Sequence, residues 1–260
     1  MGSAFDRLHE TTTDQRDYDP MNPPTAHIVF PVITLTISAV IALYGWRRSR
    51  AVAIVAVTWA VVSLFTSRIP FFQEPDKWSE GDVLGFMAFG GLVMTPVVLG
   101  FVALWRSSTF QDFMEDTPSW VLTVTQTYRL TGAGFLLLYL EGSLPAEIGV
   151  VNGTLDIIVG VTAIPVAWTL ARGFSWSRNL AIAWSLVGIF DLACAFTVVT
   201  LSLFGLIELV PAPSRMGLFP LSIVSIYQVS TAIFIHIYLF RRLLRSESTS
   251  PGRSNDEEMA

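Results

Sequence analysis

Seven apolar runs, at residues 26–46, 51–67, 82–105, 119–140, 148–170, 179–207 and 219–240, are each long enough to cross the hydrocarbon core of a bilayer as a helix. Lipid offers no hydrogen bonds to a backbone, so a spanning run must pair its own N–H and C=O groups, and a helix does so within one segment. The pattern predicts an all-α, polytopic integral membrane protein with seven transmembrane helices. It would sit in the cell membrane as a multi-pass protein, with the lipid bilayer as its first partner. A chain of 260 residues that is 52% hydrophobic and only 14% charged fits that class.

The runs are bounded by polar sequence. Residues 1–25 carry Asp6, Glu10, Asp14, Asp17 and Asp19. They lack the basic start and short apolar core of a signal peptide, and read as a disordered acidic tail. Residues 246–260 are Ser-rich and read as a second disordered tail. Arg47, Arg48, Arg50, Arg106, Arg172, Arg178, Arg241, Arg242 and Arg245 fall at one end of the runs, against Arg68, Lys77 and Arg215 at the other. Basic residues favour the cytoplasmic side, which places the N-terminus out and the C-terminus in. Pro96 predicts a kink in the third run.

Charge inside the apolar runs is the second constraint. Arg129, Asp156, Asp191 and His236 lie within the fourth to seventh runs, where an ionisable group is costly unless it has a partner or a cavity. Gln126 and Arg129 are three residues apart, on one face with Gly132 and Ala133; Gly153, Asp156 and Gly160 repeat the arrangement. Small residues beside a charge let another backbone approach, so both charges are expected to face protein. At about 1.5 Å of rise per residue, Arg129, Asp156 and Asp191 fall near mid-membrane, and His236 nearer the cytoplasm. Arg129 can pair with Asp156, Asp191 or both, and one arginine between two carboxylates leaves a net negative site. Gln126, Arg129, Asp156, Asp191 and His236 are thus the candidate ligand-binding or proton-coupling residues. Glu141, Glu147 and Asn152, around the short connection at Leu144-Pro145, form a candidate outer vestibule favouring cationic or neutral ligands. Asn152-Gly153-Thr154 matches a glycosylation acceptor, but lies too near the membrane boundary to be modified readily.

Other chemistry is thinly represented. The only lysine, Lys77, lies in a polar connection, so a retinal-type Schiff base within the membrane is excluded. The single cysteine, Cys194, can form no intrachain disulfide, and no C-x-x-C-H motif is present to attach haem. Phosphate-binding loops, a G-x-S-x-G elbow, a nucleic-acid patch and the signatures of G-protein-coupled receptors are all missing. No cofactor is predicted. A metal held by Asp156, Asp191 and His236, or a b-type haem on His236 with His27, are the alternatives that would make the chain an enzyme or redox protein. Gly153-x-x-Asp156 and Gly188-x-x-Asp191 are alike, a slight hint of an inverted repeat.

Gln126-x-x-Arg129-x-x-Gly132, Leu144-Pro145, Asn152-Gly153-x-x-Asp156-x-x-x-Gly160, Gly188-x-x-Asp191-Leu192 and the late His236 together resemble a group of small bacterial integral membrane proteins of unassigned activity. The resemblance spans about residues 120 to 240. It implies the architecture and the polar set, and no reaction. Three functions therefore stand side by side. The first is transport or sensing, with a small polar ligand or a proton bound at Arg129, Asp156 and Asp191. The second is the metal or haem enzyme, and the third a structural or accessory subunit in which these charges merely pair. Oligomeric state is not legible.

Overall fold

The structure is a computed structural model that describes residues 26–69, 83–211 and 216–245. The two expected tails, Lys77, Arg215 and residues 70–82 lie outside the described residues. Every described element is helical, and no strand occurs among the described residues.

In chain order the helices are α1 (Ala26–Trp46), α2 (Arg50–Thr66), α3 (Val83–Arg106), α4 (Ser108–Asp116), α5 (Ser119–Val124), α6 (Gly132–Leu140), α7 (Glu147–Arg172), α8 (Ser177–Leu203) and α9 (Leu221–Arg245). Five of them, α1, α3, α7, α8 and α9, are long and apolar enough to cross a membrane. The run expected at 51–67 forms α2, which has 17 residues and is shorter than those five. The run expected at 119–140 is not one α-helix. A 3-10 helix, Thr125–Thr131, separates α5 from α6 and carries Gln126 and Arg129. Two further departures are π-helical: Glu147–Asn152 opens α7, and Val224–Val229 lies near the start of α9. Pro96 sits inside a continuous α3.

Local chemistry explains several boundaries. Ser49 is extended, with φ −150°, and its hydroxyl accepts from the Val52 N–H at 3.4 Å, capping α2. Ser107 does the same for Phe110 at 3.3 Å and starts α4, a helix within what reads as a polar connection at 106–118. Its apolar face, Phe110 and Phe113, packs on Phe234, Tyr44 and Tyr238. Arg242 of α9 closes its end, donating from Nη1 to the carbonyls of Met114 (3.1 Å) and Thr117 (2.6 Å) and from Nη2 to that of Glu115 (3.0 Å). Gly173, at φ +69°, ends α7 in the left-handed conformation that glycine takes without strain.

The helices surround α9. In its apolar window 61% of residues are buried, against 11% for α3, which lies at the periphery. α8 and α3 pack on α9, α7 packs on α8 and on the 119–140 segment, and α1 and α2 pack together. Apolar residues cover the outside: Ile28, Leu43, Val55, Met87, Leu140 and Phe190 are all exposed. Such a surface is costly in water and ordinary in lipid. Since lipid is as apolar as leucine, close packing and polar contacts must hold these helices together. Those contacts concentrate where α7, α8, α9 and the 3-10 helix meet.

Candidate functional site

Backbone approach comes first. A Cβ at Gly132 would lie 2.5 Å from the Gly153 oxygen and 2.6 Å from Asp156 Cβ; one at Gly160 would lie 2.8 Å from the Leu130 nitrogen. The two glycine-bearing faces therefore meet, with no side chain between α7 and the chain around residues 129–132. That contact seats Asp156 beside Arg129.

Arg129 is 2% exposed and uses three nitrogens on three helices. Nε donates to Asp156 Oδ1 of α7 at 2.6 Å, Nη2 donates to Asp191 Oδ2 of α8, and Nη1 faces His236 Nε2 of α9 at 3.1 Å. Guanidinium has no acceptor, so the lone pair must lie on His236 Nε2 and the imidazole is neutral, with its proton on Nδ1. Asp191 is 3% exposed at its side chain and Asp156 18%, so the second carboxylate is the more open one. The two carboxyl groups converge on the one guanidinium from two helices. One positive charge thus faces two acids and a neutral ring.

The remaining expected residues separate. Asn152 does not belong with the outer vestibule. The π-turn carries it inward, where it is 4% exposed and Nδ2 donates to Asp191 Oδ1 at 3.0 Å and to the Asp191 carbonyl at 3.1 Å. Burial also removes it as a glycosylation acceptor. Glu141 and Glu147 are exposed at the loop between α6 and α7. Gln126 is fully buried one 3-10 turn before Arg129, and neither atom of its amide has a hydrogen-bond partner. His236 meets the end of the Arg129 side chain. Its ring lies 4.8 Å from that of Trp184 and against Gly188, where any side chain would overlap it. Gly188 makes room for an imidazole, whereas Gly153 makes room for a backbone. The two similar tetrapeptides do different work.

A metal at Asp156, Asp191 and His236 is not the arrangement found. The Arg129 guanidinium stands where the three converge and occupies the ring nitrogen that faces the acids. No group of three His, Cys, Asp or Glu residues able to hold a metal occurs among the described residues. The haem alternative loses the same nitrogen, and His27 lies on the first turn of α1 against Phe219, with ring centroids 5.4 Å apart.

One polar layer, centred on Gln228, draws in Tyr128, Thr131, Thr34, Ser38 and Tyr227, which sequence reasoning passed over. Tyr128 donates to the Gln228 carbonyl at 2.8 Å, Thr131 donates to Gln228 Oε1 at 3.1 Å, and Gln228 Nε2 donates to Thr34 of α1 at 3.1 Å. Ser38 of α1 bonds the Tyr227 hydroxyl. Gln228 and Tyr227 lie in the second π-turn. The signal available was Thr34 and Ser38 four residues apart on one face of the first run. All three irregular turns thus carry polar side chains of the core, a placement that π-turns often have at functional sites.

These features define an all-helical protein with membrane-length apolar helices and a buried ionic core. Within that class the chain belongs to the family described as Domain of unknown function (DUF8737), whose profile matches residues 87–244, from α3 to the end of α9. Comparison with curated proteins and with solved structures finds no match.

Proposed function

We propose that the chain is a seven-span protein of the cell membrane, N-terminus out and C-terminus in, that binds a proton or a small polar or cationic ligand at Arg129, Asp156 and Asp191 in transport or sensing. Residues 51–67 and 119–140 supply the two spans beyond the five long helices, the second through the continuous helical turns of α5, the 3-10 helix and α6. The similarity of its motifs to small bacterial membrane proteins belongs to the same proposal.

One observation carries the reading: a single buried guanidinium is divided between carboxylates from two helices, while its third partner is neutral. A purely structural pair balances its charges. Here one negative charge remains in excess, and a charge at membrane depth calls for a counterion. Two carboxyl groups that share a site hold a proton more readily than either alone. Arg129 and Tyr128 from the 3-10 helix and His236 from α9 are the other titratable groups facing them. Glu141 and Glu147, exposed at the same end as Asn152, add negative potential on the approach.

Infrared difference spectra of the full chain in lipid, recorded as pH is changed, test this. A protonated-carboxyl band should grow as pH falls and be lost in Asp191→Asn. If no such band titrates while the protein stays folded, the pair is structural and the reading fails. The ligand class then follows from which small polar or cationic solutes raise the Tm of the wild type but not of Asp191→Asn.

A further inference from the structure

Exposed tryptophan is confined to one end of the molecule. Among the described residues, Trp46, Trp105, Trp120, Trp168 and Trp176 are the exposed tryptophans, and all lie at the helix ends that carry Arg47, Arg106, Arg172 and Arg241. At the opposite end the exposed apolar residues include Leu140, Phe204, Leu206 and Val210, beside the exposed acids Glu141, Glu147 and Glu208. An indole has an apolar body and a polar N–H, and it settles at the level of lipid headgroups.

The rings are most closely grouped where α7 turns into α8. Trp168 meets Phe174 with ring centroids 5.4 Å apart, Phe174 stacks on Trp176 at 5.5 Å with 6° between the planes, and Arg172 Cζ lies 5.6 Å from the Trp168 ring. These rings pack on one another and stay exposed, Trp168 by 51%, Phe174 by 38% and Trp176 by 53%. Arg129, Arg178 and Arg242 donate to protein oxygens, whereas Arg172 has no hydrogen-bond acceptor and no acidic partner among the described residues. No acid occurs in the sequence between Asp156 and Asp191. The exposed acids at the arginine-rich end, Asp112, Glu115 and Asp116, are on α4, which Arg242 holds to α9.

The same exposed face of α7 continues inward from Arg172 through Trp168, Ile164 and Val161, a helical spacing of four, four and three residues. From Arg172 to Val161 is about 16 Å at 1.5 Å of rise per residue, close to half of the roughly 30 Å hydrocarbon core. A strip that is apolar for the depth of one leaflet and ends at a guanidinium has the dimensions of one phospholipid.

We propose that this strip binds an anionic phospholipid from the leaflet at the arginine-rich end. Its phosphate and acidic headgroup sit at Arg172, and an acyl chain lies along Ile164 and Val161, with the Trp168, Phe174 and Trp176 shelf at the boundary between them. Charge selects the lipid: phosphatidylcholine carries its own ammonium beside the phosphate, whereas phosphatidylglycerol is net negative and leaves Arg172 as the counterion. The proposal rests on the membrane-spanning reading above and is independent of the Arg129 ion pair.

Tryptophan fluorescence of the full chain in phosphatidylcholine vesicles tests it, with acyl-brominated phosphatidylglycerol or phosphatidylcholine as the quencher. Quenching of Trp168 and Trp176, taken as the difference from the double variant Trp168→Phe, Trp176→Phe, should be half complete at a lower fraction of phosphatidylglycerol than of phosphatidylcholine. Arg172→Gln should lower that preference roughly fivefold, the factor equivalent to about 1 kcal/mol per arginine at an anionic bilayer surface. Arg68→Gln, which removes the guanidinium over the Phe219 ring at the opposite end, should keep the wild-type preference. In the unaltered chain the preference should also fall as salt is raised from about 0.1 M to about 1 M. Equal quenching by the two lipids in the wild type, or an unchanged preference in Arg172→Gln, overturns the lipid site and leaves the spanning reading in place. A chain that enters vesicles of neither lipid sinks the spanning reading first, and the lipid site with it.

Discussion

In α2 the hydroxyls of Ser63 and Thr66 turn back to the carbonyls of Trp59 and Val62, and in α1 and α3 Thr36 and Thr95 do the same to Val32 and Gly91. Between residues 119 and 245, Arg129, Thr131, Asn152, Trp184 and Gln228 instead reach across to other helices. Both regions read as apolar sequence with scattered polar residues. In the first, these four hydroxyls are satisfied within their own helices and specify nothing about neighbours. In the second, these five side chains specify which helices meet and at what depth. The family match covers this second region together with α3 and leaves α1 and α2 outside. α1 contributes Thr34 and Ser38, joining the first region to the second at one layer.

The sharpest way to break this contrast is to remove one arginine from each region. Arg129→Gln leaves two carboxyl groups in the core without their cation. Breaking a buried ion pair from one side typically costs about 3–5 kcal/mol, enough to remove most of a domain's stability. Arg106→Gln, at the exposed end of α3 where the guanidinium only covers the Trp105 ring, should leave stability within about 0.5 kcal/mol. Thermal unfolding in one detergent measures both. Equal losses would mean that the ion pair does not organise the fold.

Glycines give the next largest difference. Gly132→Ala would push a methyl group to 2.5 Å from the Gly153 carbonyl oxygen, where backbone must move. Overpacking of that kind costs about 1–3 kcal/mol. At Gly90 of α3 a Cβ meets nothing within 4 Å. Gly90→Ala should raise stability by up to about 1 kcal/mol, through helix propensity alone. Opposite signs in Tm are expected, and two losses of similar size would contradict the close approach of α7.

How much of this was legible depends on what each residue needs from its surroundings. Ala26–Trp46 could be bounded in advance, because a run of uniform hydropathy ends abruptly at Arg47. The meeting of Arg129 with Asp156 and Asp191 followed from charge and glycine spacing, since a mid-membrane arginine has few places to go. What remained hidden were the turns themselves. A 3-10 or π turn changes the residues per turn by a fraction, and in a segment apolar on all sides that shift leaves no pattern. It still rotates every following side chain, which is why Asn152 reaches Asp191 rather than the loop. Thr34 and Tyr128 were illegible for another reason: threonine and tyrosine in apolar helices usually satisfy themselves locally, as Thr36 does.

A double-mutant cycle between Thr34→Val and Gln228→Leu sharpens the link between the regions. The single hydrogen bond between them, at 3.1 Å, should give a coupling of about 0.6 kcal/mol, the usual size for such bonds between membrane helices. A coupling indistinguishable from zero would leave α1 a bystander to the second region.

The smallest effect is expected at Thr66→Val. Its hydroxyl donates to the Val62 carbonyl at 2.6 Å, on the exposed face of α2. That carbonyl is an intrahelical acceptor, so the hydroxyl adds a second bond to a group that the helix ladder can satisfy without it. Valine keeps the branched shape and replaces the hydroxyl with a methyl group, which lipid accepts more readily than a polar atom. The two changes oppose each other, and stability should move by less than about 0.5 kcal/mol in either direction. Thr131→Val makes the same chemical change where the hydroxyl reaches Gln228 on another helix, and there the acceptor has no substitute. It should lose more stability than Thr66→Val in the same unfolding assay. Equal values would mean that reaching another helix confers nothing beyond what a local bond supplies, and the distinction between the two regions would rest on the arginine and the glycines alone.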